Sequence, residues 1–430
     1  MVTDRRNQEL VTIAGTEGAD SIVGTDLSDS IFGRGGDDVI EGRGDRDVLY
    51  GGSGNDFVAG NAGSDSIMLG HGDDFGVGGA GDDTVRGGDG NDLIFAGAGD
   101  TGYDVLHGEA GNDQLGGGAM DDSLHGGSGV DTLFGGAGND ILFATDAGTQ
   151  NSADGGTAWG GSGNDLFHSD DGNDIIGGGI GDDRANAWGG NDVLFMNDGN
   201  DHAYGGFGDD TIFGGQGDDF IHSGDGGFDN GERDNDLVYG GAGSDILHAG
   251  FGKDTIFGNE GNDYIYGGLG DDKLYGDAGN DLLSGFEGND YISGGTGDDT
   301  IINDGGNDTI EGGEGNDSIE ADAIPGDGES LILGGAGNDT IVDGQGNDTL
   351  DGGDGLDLFA FKASSGGNLI THFVDGDDQI NLWNFNVGFA DLNIVDKAGN
   401  AVVTIDGVDD FSITLNATAV ADLTAADFVF

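Results

Sequence analysis

An all-β solenoid of stacked nonapeptide repeats, closed by a small C-terminal β cap, is the fold class this sequence predicts. Three observations predict it. One nine-residue phrase recurs in phase from residue 15 to residue 360 of the 430. Its eighth position is apolar almost throughout. Its first, second and fourth positions are mostly glycine, and the chain holds 98 Gly against 1 Pro.

The phrase is clearest at Gly267–Tyr275, GGLGDDKLY. GDAGNDLLS (Gly276–Ser284), GFEGNDYIS (Gly285–Ser293) and GGTGDDTII (Gly294–Ile302) follow without interruption. The 36 units between 15 and 360 keep phase through four inserts of 3, 7, 8 and 4 residues. A fixed short period of this kind is the signature of a solenoid, in which each unit buries its apolar side only by stacking on copies of itself.

Residues 1–14 form a polar lead with no fold signal. In the repeats, position eight runs Ile22, Ile31, Ile40, Leu49, Val58, Ile67 and onward. Small residues interrupt it at Gly76, Ala158, Ala185 and Ala203. One inward apolar residue in nine predicts a three-residue strand and a six-residue turn, with glycine supplying the turn's positive φ or close approach. The inserts fall in 96–107, 144–159, 223–239 and 321–333. With two units per coil, three of the four would leave the same edge, as surface loops.

Residues 361–430 lose the glycine density and alternate apolar with polar, as in NLITHF, DDQINLWNF, NAVVTID and FSITLN. This reads as an antiparallel β cap that closes the open end of the solenoid.

The formal net charge is -72, from 84 Asp+Glu and 12 Lys+Arg. Such a chain, this rich in glycine, would ordinarily stay disordered. Nucleic acid and anionic membranes would repel it, so cations or basic surfaces are its natural partners. There is no cysteine, hence no disulfide or thiolate site. No stretch is apolar enough for a transmembrane segment, and the first residues, MVTDRRNQELVTIAG, lack the apolar run of a signal peptide.

Position six carries the chemistry. It is aspartate in 34 units, with Gly156 and Ser330 as the exceptions in two insert-bearing units. The candidate metal ligands in the first half are Asp20, Asp29, Asp38, Asp47, Asp56, Asp65, Asp74, Asp83, Asp92, Asp104, Asp113, Asp122, Asp131, Asp140, Asp165, Asp174, Asp183, Asp192, Asp201 and Asp210. In the second half they are Asp219, Asp236, Asp245, Asp254, Asp263, Asp272, Asp281, Asp290, Asp299, Asp308, Asp317, Asp339, Asp348 and Asp357. Stacking puts these carboxylates in columns whose mutual repulsion would part the coils. A hard divalent cation with six or more oxygen ligands turns that repulsion into a cross-link. Calcium suits such a column better than magnesium, which demands near-ideal octahedra and keeps its waters. Asn or Asp at position five reads as turn chemistry.

In these repeats the chain resembles the RTX, or haemolysin-type calcium-binding repeat, secreted proteins. The resemblance covers about four fifths of the sequence. It implies a right-handed parallel β-roll with two nonapeptides per coil. It also implies that position-six aspartates and turn carbonyls share each Ca2+ with the stacked turn two units later. Two columns of about 17 gaps would hold roughly 30 ions. THFVDGDDQINL (Thr371–Leu382) is similar to the serralysin-like tail that follows the repeats in secreted RTX proteases and lipases. The closing Asp427-Phe428-Val429-Phe430 looks like an uncleaved signal for the type I secretion apparatus, and reads equally as a final edge strand. The resemblance thus implies a secreted, extracellular protein that folds on meeting calcium outside the cell.

Position nine is aromatic in mid-chain, at Phe195, Tyr204, Phe213, His222, Tyr239, His248, Phe257 and Tyr266. Alternate members would stack as one ladder on each sheet, or present a strip to a glycan or cell-surface matrix. His107, His125 and His168 hold the same position and read as ladder members, not transition-metal ligands. There is no H-E-x-x-H and no G-x-S-x-G, and the G-x-G-x-x-G matches arise from the repeat itself. The expectation is therefore a non-catalytic structural, surface or interaction protein. Two alternatives stand beside it: a polysaccharide-binding module like those of alginate epimerases, and a membrane-active relative of RTX toxins.

Overall fold

A computed structural model describes residues 11–144, 154–224, 234–321, 328–362, 365–408 and 410–430. Residues 145–153, 225–233 and 322–327, which hold most of three inserts, lie outside the described residues. The chain divides into two compact units, Met1–Ile212 and Phe213–Phe430.

In the first unit the strands alternate between two parallel sheets. Each strand pairs with the strand two units away, a shift of 18 residues that brings like positions together. Ile31 lies opposite Leu49 and Leu49 opposite Ile67 in one sheet. Ile40 lies opposite Val58 in the other. An insert lengthens the shift and leaves the register intact, so Val85 meets Leu106 and Leu133 meets Ala158.

The strands run longer than the sequence predicts. Val39–Gly44 is typical: it spans positions seven to three of the next unit, and both position eight and position one face inward. The core therefore has two inward rows. Position one is usually glycine because a Cβ there would fall under 3.0 Å from oxygens on either side. At Gly51 these are Asp56 Oδ2 and the Leu69 carbonyl.

The same two rows account for two of the four small residues at position eight, Gly76 and Ala203. Leu69, at position one, is fully buried, and its Cδ1 lies 2.9 Å from where a Cβ of Gly76 would be. The side chain missing from position eight of that unit is supplied from position one. Met196 and Ala203 make the same exchange, both at 0% exposure.

Positions two and four pack backbone on backbone. Gly52 and Gly54 have φ of 122° and 120°, and a Cβ on either would strike the coil below, at the carbonyls of Arg34 and Gly36. Arg34, at position two, holds φ 85°, so the turn imposes this conformation even without glycine.

The second unit repeats the plan. Leu247 pairs with Ile265, and Val238 with Ile256. Parallel stacking runs on past residue 360. Gly367–His372 and Gln379–Asn381 extend the two sheets, and Phe428–Val429 adds a parallel strand beside Ile380 and Asn381. The antiparallel part is confined to Leu392–Lys397, Asn400–Ile405 and Ser412–Leu415. Three short 3-10 turns are the only helical elements among the described residues, and none is long and apolar enough to cross a membrane.

Candidate metal centre

Position six follows the tight turn and precedes the strand, so its side chain folds back under the turn. Every position-six aspartate is buried except Asp20, which is half-buried. The two carboxylate oxygens have different surroundings. Oδ1 accepts the backbone N–H of the aspartate one coil earlier: Asp38 from Asp20, Asp56 from Asp38, Asp74 from Asp56, at 2.7–2.8 Å. The second column does the same, from Asp29 to Asp47 and Asp47 to Asp65. In the second unit Asp245, Asp263, Asp281 and Asp299 continue the pattern at 2.8 Å.

Oδ2 has no such partner. In Asp38, Asp47, Asp56, Asp74, Asp92, Asp263, Asp281, Asp299 and others of the column it is buried without a hydrogen bond. Where position one is glycine, it borders the hollow beside that residue, whose other wall is usually a main-chain carbonyl of the next coil. Gly258 shows it with Asp263 Oδ2 and the Gly276 carbonyl, and Gly276 with Asp281 Oδ2 and the Gly294 carbonyl. A buried anion with no donor is costly. Carboxylate and carbonyl oxygens together are the donor set a hard cation takes. The residues present therefore fit calcium.

Burial, first among causes, pushes these acids up. Asp83 and Asp92 rise to about 7, and Asp104, Asp192 and Asp254 to about 8. Without a cation the proton is what neutralises them.

The column ends are built differently. Asp20 Oδ2 accepts the N–H and Oγ1 of Thr16 at 2.5 and 2.9 Å, and Asp29 Oδ2 those of Thr25 at 2.5 and 3.0 Å. The backbone N–H of Thr16, followed by its hydroxyl, lowers Asp20 below the usual carboxylate range. The Oδ2 atoms of these two predicted ligands thus have protein donors, while Asp29 Oδ1 is buried without one. At the other end Asp378 Oδ1 takes the Asp357 N–H at 3.1 Å, and its Oδ2 takes the Val374 N–H at 2.7 Å. Asn368 Oδ1 takes the Asp348 N–H at 2.8 Å, and its amide donates to Asp343 Oδ2 at 2.8 Å.

Asn368 and Asp378 went unread as column members. The signal was present: Gly376-Asp377-Asp378-Gln379-Ile380-Asn381 repeats positions four to nine, with Phe373 and Val374 where the glycines of positions one and two would stand. The two expected breaks behave as such. Ser330 offers a hydroxyl to the Asp308 N–H at 3.2 Å, and Gly156 offers no side chain, though its own N–H reaches Asp174 at 2.6 Å.

Position five makes a separate, exposed ladder running the opposite way. Asn55 donates its N–H to Asp37 Oδ1 at 2.9 Å, and Asn280 to Asn262 Oδ1 at 2.7 Å. Position nine stacks rings. His107, His125, Phe143 and His168 form one ladder with centroids 4.6–5.2 Å apart. In the second unit Phe213, Tyr239, Phe257 and Tyr275 form another at 4.7–5.0 Å, and His248 stacks on Tyr266 at 4.6 Å.

Comparison with known proteins places this geometry. The family described as RTX calcium-binding nonapeptide repeat (4 copies) matches residues 14–49, 41–75, 70–101, 98–119, 116–146, 157–195, 197–227, 230–256, 248–283, 284–319 and 325–359. No curated protein matches significantly. Among solved structures, the AlgE6R3 subunit of the Azotobacter vinelandii mannuronan C5-epimerase matches at 26% identity over 31% of this chain and 79% of that one. The TM-score is 0.21, and the match adds no argument.

Proposed function

Because the chain belongs to the RTX calcium-binding nonapeptide repeat family, we propose that it is a secreted, non-catalytic roll that folds when extracellular calcium fills its aspartate columns. The observation that supports this is the row of buried Oδ2 atoms without donors, beside a carbonyl oxygen in most units that begin with glycine. Oδ1 of each aspartate holds the stack together along the column, and Oδ2 with the carbonyl holds the ion. The bound ion supplies charge neutralisation and a cross-link between coils, so binding energy is folding energy. In a low-calcium cytosol the columns repel and the chain stays open, the state a narrow export channel needs. Outside, at calcium of about 0.1–1 mM, it closes. Structural or surface association is the role that follows for the folded roll.

The test is calcium titration of the EDTA-stripped protein, followed by far-UV circular dichroism and bound-ion count. A cooperative rise in β signal with tens of ions is the expected result. A β-rich signal in EDTA at low salt, with few ions taken up, would overturn the reading.

One observation favours a second reading, binding of polysaccharide. Gly116 stands between Phe95 and Phe134 in one sheet and leaves an outward apolar hollow of about 410 Å³ between the two rings. Sugar rings stack on faces of this kind. Retention on immobilised polysaccharide, lost on Phe134→Ser, would favour it; no retention would dismiss it.

A further inference from the structure

Of the four inserts, only 96–107 is described throughout, and it changes the donor set of its column. It brings in Asp100, which is 3% exposed. Asp100 Oδ1 accepts the N–H groups of Thr101 at 2.6 Å, Gly102 at 3.0 Å and, in the coil below, Gly81 at 3.1 Å. Asp83 Oδ1 takes the Asp65 N–H, and Asp104 Oδ1 takes the Asp83 N–H, both at 2.7 Å. All three Oδ1 atoms are thus engaged. All three Oδ2 atoms are buried and have no hydrogen-bond partner.

The three carboxylates converge, with one oxygen of each lying within 4.8 Å of the others. The Ala96 carbonyl borders the same hollow, beside Gly78. An ordinary gap lies between two column aspartates and a carbonyl; Asp100 adds a third carboxylate to this one. Arg86, the one Lys or Arg between residues 78 and 107, is paired with Glu109 at 3.1 Å.

We infer that Asp83, Asp100 and Asp104, with the Ala96 carbonyl, form a distinct high-affinity site for a hard divalent cation of the calcium class, filled before the other gaps. Ligand charge sets affinity at all-oxygen sites, and three buried anions gain most from the first ion. Its filling orders the coils on either side of the insert, so ordering of the first unit spreads from there. The inference rests on the calcium-binding reading above.

Calorimetric calcium titration of the full chain tests it. Wild-type protein is to show a tight class near one ion, ahead of the bulk uptake. Asp100→Asn is to weaken that class about tenfold or more. Bulk uptake and the calcium-saturated β signal are to stay. Asp277→Asn, which removes an exposed charge at position two elsewhere, is to leave the tight class intact.

An Asp100→Asn isotherm that superimposes on wild type overturns the inference and leaves the calcium reading standing. Absence of any calcium uptake by wild type overturns both. Should Asp100→Asn not fold, Tyr103→Phe keeps every carboxylate. With terbium as the probe, the first equivalent is to give tyrosine-sensitised emission that Tyr103→Phe abolishes. Emission unchanged in that variant places the first ion elsewhere and overturns the inference.

Discussion

The backbone N–H of Asp56 donates to Oδ1 of Asp74, 18 residues on, at 2.7 Å. This bond separates two jobs within one carboxylate. Oδ1 holds the coil below by a hydrogen bond, while Oδ2 is buried with no donor and bears the ion's charge. An amide keeps the first job and loses the second. Asp74→Asn is therefore expected to lose about one calcium while keeping the stack, since its Oδ1 still accepts. Asp74→Ala also leaves the Asp56 N–H buried without an acceptor, costing about 1–3 kcal/mol more. Urea unfolding at saturating calcium, with ion counts for both variants, checks this; equal stability of the two would reject the divided role.

The pH dependence has a definite sign. Metal-free folding raises Asp83 and Asp92 from 3.8 to about 7 and Asp104 and Asp254 to about 8, chiefly by burial. The folded state then binds more protons than the unfolded chain, so these groups favour folding below about pH 4. That contribution is lost as pH rises through 7 to 8. The EDTA-stripped protein should gain β signal on acidification from pH 8 to pH 4. Calcium competes with the same protons, so its apparent affinity should fall on that acidification and climb as pH rises from 4 to 8. A metal-free β signal that is flat across the range would contradict both.

Leu69 fills the inward space opposite Gly76. Leu69→Ala should cost about 2–5 kcal/mol, because a cavity opens where no position-eight side chain exists. The double variant Leu69→Gly with Gly76→Leu restores the common unit and should recover most of that loss. Thermal unfolding at fixed calcium measures both; strict additivity of the two single changes would show that the side chains do not share one space.

Phe257 stacks between Tyr239 at 5.0 Å and Tyr275 at 4.7 Å. With both faces used inside the ladder, Phe257→Ser should lower stability by about 1–3 kcal/mol. Calcium stoichiometry should stay unchanged. Unfolding curves and ion counts decide it, and a loss of calcium with no loss of stability would place the ring at the ion sites instead.

Much of this was legible because a repeat is local. Nine-residue spacing, with the two-unit coil that the family resemblance implies, puts Ile31 over Leu49 and Asp38 over Asp56. The strand length was not legible, because position one is glycine and carries no hydropathy signal. Only the stacked coil showed that Gly51 faces inward between Asp56 and the Leu69 carbonyl. The continuation of the roll through Asn368 and Asp378 was hidden for a related reason: Asn368 stands where the repeat has aspartate, with Gly367 at position five, and the Asp378 unit has Phe373 and Val374 in place of the glycines at positions one and two.

By itself the sequence determined the solenoid and the phase of its apolar and carboxylate positions, since a period is written within each nine residues, and the family resemblance of that period implied the two-unit coil. Tertiary structure alone decided which oxygen of each aspartate is engaged, that Thr16 and Thr25 donate to Oδ2 of the first two acids, and that Asp100 joins Asp83 and Asp104. Those outcomes depend on groups brought together by a turn's geometry or by contact with the next coil, and neither is written in the period of the repeat.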